Sequence, residues 1–216
     1  MERIICVLIG YVLGNFQTAY VLGKCKGIDI REHGSGNAGT TNTLRVLGRK
    51  AGAIVFIGDI LKCAIAIWIT KLLFGASHGD ILPVLTLYAA AGAILGHNFP
   101  VFLGFRGGKG MACTAGLAVF YHPIMFGVCL IVALTVFLTT HYVSLMSLIV
   151  YIAFNVTMAV LCATGALGAL TGAQIAEIMI ISILLAIMAY ARHWTNIKRL
   201  LSGTESKTYL SKSHKF

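Results

Sequence analysis

Long apolar runs separated by short polar intervals set the plan of this chain. A bilayer core about 30 Å thick takes roughly 20 apolar residues per helix. On that ruler the pattern predicts helices near 3–23, 51–74, 81–98, 111–121, 123–140, 142–163 and 173–191. The reading is an all-α polytopic membrane protein with seven transmembrane helices. The fourth stretch is short for a crossing and suits a tilted or half-inserted helix. The first run follows Glu2 and Arg3 with no small-residue cleavage site, so it reads as a retained helix rather than a signal peptide.

Composition agrees with the pattern. Of 216 residues, 58% are hydrophobic and 11% charged, and the mean hydropathy is +0.87, which excludes an ordinary soluble domain. No polar interval is long enough to fold alone, so residues 1–216 read as one domain. Any chemistry must sit on loops and helix ends at the bilayer surface or in a cavity between helices. The six cysteines are scattered without a C-x-x-C pair and read as small packing residues, not a metal site or disulfide framework.

The formal charge of +10 adds orientation. Of the 17 basic residues, 14 fall in three intervals: 24–50, 104–110 and the segment after 191. Cytoplasmic loops concentrate Lys and Arg. With seven crossings and the N-terminus outside, all three intervals and the C-terminus lie on the cytoplasmic face. The basic residues form no continuous soluble face, so anionic lipid and phosphorylated substrates are the expected partners rather than nucleic acid.

Candidate chemistry sits in the same three intervals. Gly104-Phe105-Arg106-Gly107-Gly108-Lys109-Gly110 places four glycines and two cations in seven residues, a composition that lets backbone N–H groups turn toward an anion. It is not a Walker A loop, because only three residues separate the first glycine from the Gly-Lys pair and Gly110 follows the lysine. A flexible basic turn is the plainer account. The 24–50 interval carries Gly34-Ser35-Gly36-Asn37-Ala38-Gly39-Thr40-Thr41-Asn42 and then Arg45. These residue types supply short-range donors for phosphate oxygens, or Thr41 or Asn42 caps the second helix. Asp59 and Lys62 share one face of that helix, either as a structural ion pair or as a border of the substrate site. His97 precedes the helix-stopping Pro100 and the glycine loop. Past the last span, His193 and Asn196 share a helical face, with Ile197, Leu200 and Leu201 as an apolar stripe against the membrane. An interfacial anchor explains that stripe equally well.

The three stretches HGSGNAGTTNTLR, GHNFPVFLGFRGGKG and HWTNIKRLLSGTE, in this order and spacing, resemble the bacterial acyl-phosphate:glycerol-3-phosphate acyltransferase family, PlsY, over nearly the whole chain. The resemblance implies a seven-helix enzyme of the bacterial cytoplasmic membrane. Its site would be built from segments near 33–45, 96–110 and 193–205 on the cytoplasmic side. Its substrates would be glycerol 3-phosphate and acyl phosphate, its products lysophosphatidic acid and inorganic phosphate, and it implies no cofactor. Carried over residue by residue, it points to Ser35, Arg45, Lys109, His193 and Asn196 as catalytic. Gly36, Asn37, Gly39, Thr41, Asn42, His97, Gly107, Gly108 and Gly110 would bind substrate phosphate, and Asp59, Lys62 and Glu205 would be structural supports. Two positions depart from the family pattern: Gln17 where many members have proline, and Cys63 where glycine is usual.

An acyl phosphate carries its own good leaving group, so positioning and charge neutralisation suffice for transfer. The amides of Gly107, Gly108 and Gly110 would face the acyl phosphate. The hydroxyl proton would go to the departing phosphate or to His193. No histidine has an aspartate five positions on, as thioester-using glycerolipid acyltransferases do, and no carboxylate cluster suits catalytic magnesium or another metal. A transporter of a phosphorylated metabolite, or a lipid-binding scaffold, would use the same basic face; the oligomeric state is open, a monomer included.

Overall fold

The computed structural model describes residues 1–209; Lys212 and Lys215, counted above with the basic tail, lie outside them. Among the described residues every regular element is a helix, with no strand. In chain order the helices are α1 (Glu2–Gly14), α2 (Thr18–Cys25), α3 (Thr40–Leu47), α4 (Arg49–Phe74), α5 (Leu82–Asn98), α6 (Met111–Tyr121), α7 (Pro123–Thr140), α8 (Val143–Ala163), α9 (Gly172–Arg192) and α10 (Trp194–Leu201). Six stretches are long and apolar enough to cross a membrane, α1 and α2 together forming one of them. At 11 residues, α6 spans about 16 Å, roughly half a bilayer core.

Small residues let the helices approach closely. α1 and α5 meet through Gly10, Gly14, Gly92 and Gly96, where an added Cβ on any of the four would collide with a backbone carbonyl of the facing helix. This is the packing that serves where no hydrophobic driving force separates helix from lipid. On α6, Gly116 lies against the Ile60 carbonyl and Cys63 of α4, so the cysteine at the unusual position packs into a notch. Toward the N-terminus of α1, Arg3 donates from Nη2 to Glu177 of α9 at 2.9 Å, and Tyr88 of α5 donates to the same carboxylate at 2.7 Å. Large apolar side chains such as Trp68, Leu72, Ile131, Val156 and Ile187 point outward, the arrangement expected of a surface solvated by lipid.

Two local features differ from the sequence reading. The first apolar run is broken at Asn15–Gln17, where Asn and Gln side chains compete for backbone groups. Asn15 donates to the Tyr11 carbonyl at 2.7 Å and accepts from the Val101 N–H at 2.8 Å. Gln17 donates to the carbonyls of Gly14 and His97 at 3.1 and 3.2 Å. The departure from proline thus supplies a donor that ties the break to the end of α5. The second difference is α3. Thr41 and Asn42 do not cap the second long helix; they lie in the first turn of a separate short helix, and Gly48, at φ +85°, turns the chain into α4.

Candidate active site

Three chain segments converge on one cavity of about 1210 Å³. Ser35, Gly36, Asn37, Gly39, Thr41, Asn42 and Arg45 line it from the loop before α3 and from α3 itself. His97, Gly107, Lys109 and Gly110 line it from the end of α5 and the glycine loop, and His193, Asn196 and Glu205 from α10 and the segment beyond. Asp59 reaches its wall; Gly108 and Lys62 stand behind it.

Two helices begin at this cavity. α3 starts after Gly39 and α6 after Gly110, whose φ of +82° a residue with a Cβ rarely adopts. Among the described residues, the N–H groups of Thr40 and Thr41 on α3, and of Gly110, Met111 and Ala112 on α6, meet no backbone or side-chain acceptor. Free N–H groups with the positive end of a helix dipole behind them make each start an anion site. The expectation for Gly107 and Gly108 is corrected here. Their N–H groups donate to the carbonyls of Asn98 and His97 at 3.3 and 3.0 Å, so the donors available to an anion lie further on. Gly108 is glycine because an added Cβ would collide with the His97 imidazole. Asn42 likewise turns inward: Oδ1 accepts from the Ser35 N–H at 2.7 Å and Nδ2 donates to the carbonyls of Ile30 and His33. It shapes the loop that presents Ser35.

The charges sort into paired and unpaired. Asp29 accepts from Arg31, chiefly through the guanidinium, which holds its carboxyl down at about 2. Burial raises Glu205, but bonds from Arg199, Asn196 and Ser144 together keep it below its ordinary value. Among the described residues, Arg45 and Lys109 have no carboxylate within ion-pairing distance. Burial, with Arg199 nearby, pulls Lys109 down to about 8, and burial also lowers Arg45. Lys109 Nζ donates to Asn196 Oδ1, and Asn196 Nδ2 donates to Glu205 Oε1 at 2.7 Å, so the amide carries the lysine on a carboxylate-anchored arm.

His193 caps α10 and is buried. Its Nδ1 lies 2.8 Å from the Ala189 carbonyl. A carbonyl only accepts, so Nδ1 bears the proton and Nε2 is left as an acceptor. Burial depresses its pKa to about 4, so the ring is neutral at physiological pH.

Behind the cavity, Lys62 Nζ lies 2.9 Å from Asp59 Oδ1, 2.9 Å from the Phe16 carbonyl and 2.7 Å from His97 Nδ1. The Phe16 carbonyl is free because the helix breaks there. An ammonium only donates, so His97 Nδ1 accepts and its Nε2 carries the proton. Both earlier readings of Asp59 and Lys62 apply together: they form an ion pair, and that pair braces the wall of the site.

Sequence reasoning missed Arg192, Ser144 and Thr208. Arg192 Nη2 donates to the Gly107 and Gly108 carbonyls at 3.0 and 2.8 Å and holds the glycine loop. Ser144 donates to Glu205 at 2.8 Å, and Thr208 accepts from Arg45. Arg192 adjoins His193, which was its one available signal; the other two lie on segments without motif character.

Below the polar mouth the cavity continues between α6, α7 and α8, lined by Ala115, Val119, Leu130, Ala133, Phe137 and Met146. One space therefore offers cations and helix starts at one end and hydrocarbon at the other. That combination, inside a helical membrane protein, defines an integral membrane enzyme of phosphorylated lipid chemistry. The chain belongs to the glycerol-3-phosphate acyltransferase family, whose model matches residues 4–203. It is 41% identical over 208 residues to the glycerol-3-phosphate acyltransferase of Thermoanaerobacter pseudethanolicus, covering 96% of each chain. Two crystal structures of PlsY (YgiH), an integral membrane glycerol 3-phosphate acyltransferase, are similar in fold at 32% identity, covering 97% of this chain and 96% of theirs. The TM-scores are 0.81 for the glycerol 3-phosphate form and 0.79 for the lysophosphatidic acid form.

Proposed function

We propose that the protein transfers a fatty acyl group from acyl phosphate to the 1-hydroxyl of glycerol 3-phosphate, giving lysophosphatidic acid and inorganic phosphate. The observation that carries this is the single cavity in which two helix starts and several cations without a carboxylate partner, Arg45 and Lys109 among them, meet an apolar groove. Two substrates each bring a phosphate, and one brings an alkyl chain. The neighbour's two crystal forms, with glycerol 3-phosphate and with lysophosphatidic acid, correspond to one substrate and one product of such a transfer. A transporter would spread polar residues through several helices, whereas here the charged lining gathers at one end of the cavity.

In this reading Arg45, Lys109 and the free N–H groups at the starts of α3 and α6 bind the phosphates. Ser35 and His193 Nε2 orient the glycerol, Nε2 accepting from the 2-hydroxyl, which leaves the proton of the attacking 1-hydroxyl free for the donor. The hydroxyl oxygen bonds to the acyl carbon, and the bond from that carbon to the phosphate oxygen breaks. Its electron pair leaves with phosphate, which takes the hydroxyl proton. A departing phosphate trianion is a much stronger base than an imidazole of pKa about 4, so the phosphate is the proton's destination. Asn196 and Glu205 position Lys109; His97, Gly107 and Gly108 form the wall behind.

We further propose one domain over residues 1–216 in the bacterial cytoplasmic membrane, with seven crossings, the N-terminus outside and the site facing the cytoplasm. The basic intervals support that orientation. Cys25 is the exposed cysteine at the end of α2. An impermeant thiol reagent should label it in inverted vesicles and not in right-side-out ones.

The deciding experiment is phosphate release by the lipid-reconstituted protein given palmitoyl phosphate and glycerol 3-phosphate, with palmitoyl-CoA as the alternative donor and Lys109→Ala as control. Release that needs both substrates and is lost in the variant supports the proposal. Lysophosphatidic acid formed from palmitoyl-CoA, with release of CoA thiol, and none formed from palmitoyl phosphate would reject acyl phosphate as donor.

A further inference from the structure

The groove has a built end. α6 and α7 are joined by the single residue His122, and the cavity lining stops short of that corner, at Val119 on α6 and Phe126 on α7. No residue between these two lines it. From Gly110, where α6 offers its free N–H groups, to Val119 the helix advances about 14 Å, and from Phe137 to Phe126 on α7 about 16 Å, at 1.5 Å per residue. An extended hydrocarbon advances about 1.3 Å per carbon, given a C–C bond near 1.5 Å. The groove therefore takes about 11 to 13 carbons in a straight chain before meeting the corner.

We propose that Val119 and Phe126 are the floor of a chain-length ruler, so that the shortness of α6 sets the length of acyl chain the enzyme measures. The inference rests on the acyl-phosphate reading above. In an acyl phosphate the phosphate is bonded directly to the acyl carbon, so an anion bound at the start of α6 places the chain at the top of this groove, with no spacer. Up to the floor, each further methylene leaves water for a lined groove and raises kcat/KM by about fourfold at most. Past the floor, added carbons must bend away, and the gain per carbon is lost. Both floor residues are exposed, Val119 at 36% and Phe126 at 39%, so changing them leaves the buried core in place.

The test is kcat/KM for saturated acyl phosphates of eight to eighteen carbons in the reconstituted enzyme, each variant expressed as a ratio to wild type at the same chain length. The ratio cancels the partitioning of the donor into lipid. For Val119→Trp the ratio beyond twelve carbons should fall at least tenfold below its value at eight. For Phe126→Ala it should rise selectively for the longest chains, moving the break by two or three carbons. A ratio that is flat along the series for both variants overturns the ruler, as does a loss for Val119→Trp that is equal at every length. Wild type inactive with every acyl phosphate would instead reject the acyl-phosphate donor itself, a failure visible before any variant is made.

Discussion

Replacing Lys62 with methionine tests whether the brace behind the site is a coupled unit. Lys62 and Asp59 are 4% and 1% exposed, and the ammonium holds Asp59, the Phe16 carbonyl and His97. Lys62→Met leaves a buried carboxylate with only Thr18 as donor, at 3.3 Å. Breaking such a pair from one side costs about 3–5 kcal/mol, and for a chain of this size each kcal/mol lowers Tm by about 2–4 °C. A fall of about 6–20 °C is expected. Asp59→Leu should cost less, because the ammonium keeps two acceptors. The double variant should be more stable than the sum of the single losses predicts, by at least about 2 kcal/mol, since it removes both charges. The assay is thermal unfolding in detergent read by a thiol-reactive dye, with the buried Cys63 and Cys113 as reporters. Single losses that simply add, or a Lys62→Met shift under 2 °C, would refute the coupled brace. Turnover should fall in Lys62→Met even well below its Tm, because His97 is then free to change tautomer against Gly108.

Further outcomes follow from the site. Lys109, lowered to about 8, is protonated and attracts phosphate below that pH; KM should rise from pH 7 to 9, and Lys109→Arg should flatten the rise while lowering kcat. His193→Gln should lose less than about 100-fold in kcat with the pH profile between 5 and 8 unchanged, since general-base catalysis is worth about 10²–10⁴; loss of a pH limb would return the base role to His193. Gly108→Ala places a methyl group in the His97 ring and should destabilise by about 1–3 kcal/mol, with His97→Ala restoring part of the stability in the double variant. Ser144→Ala removes one of three donors to Glu205 and should lower kcat/KM by up to about tenfold, through about 0.5–1.5 kcal/mol.

What the sequence showed, and what it hid, divides by range. Apolar run length is a local property, so α4 to α9 begin and end within two residues of the predicted stretches. The motif residues were visible because glycines and cations are conspicuous in a greasy chain, and most of them line one cavity. The break at Asn15–Gln17 was not visible. It depends on Lys62, 46 residues away, donating to the freed Phe16 carbonyl, and on Gln17 reaching the end of α5. The same is true of the glycine loop. Its composition suggested that every glycine amide faces phosphate, but two of them close a turn onto Asn98 and His97, and Arg192 holds that turn from 84 residues away. The loop is thus less a flexible cradle than a fixed wedge that aims the start of α6. That rigidity suits the reaction, because a donor with its own leaving group needs no strong nucleophile and gains most from groups that are already in place when the charge moves.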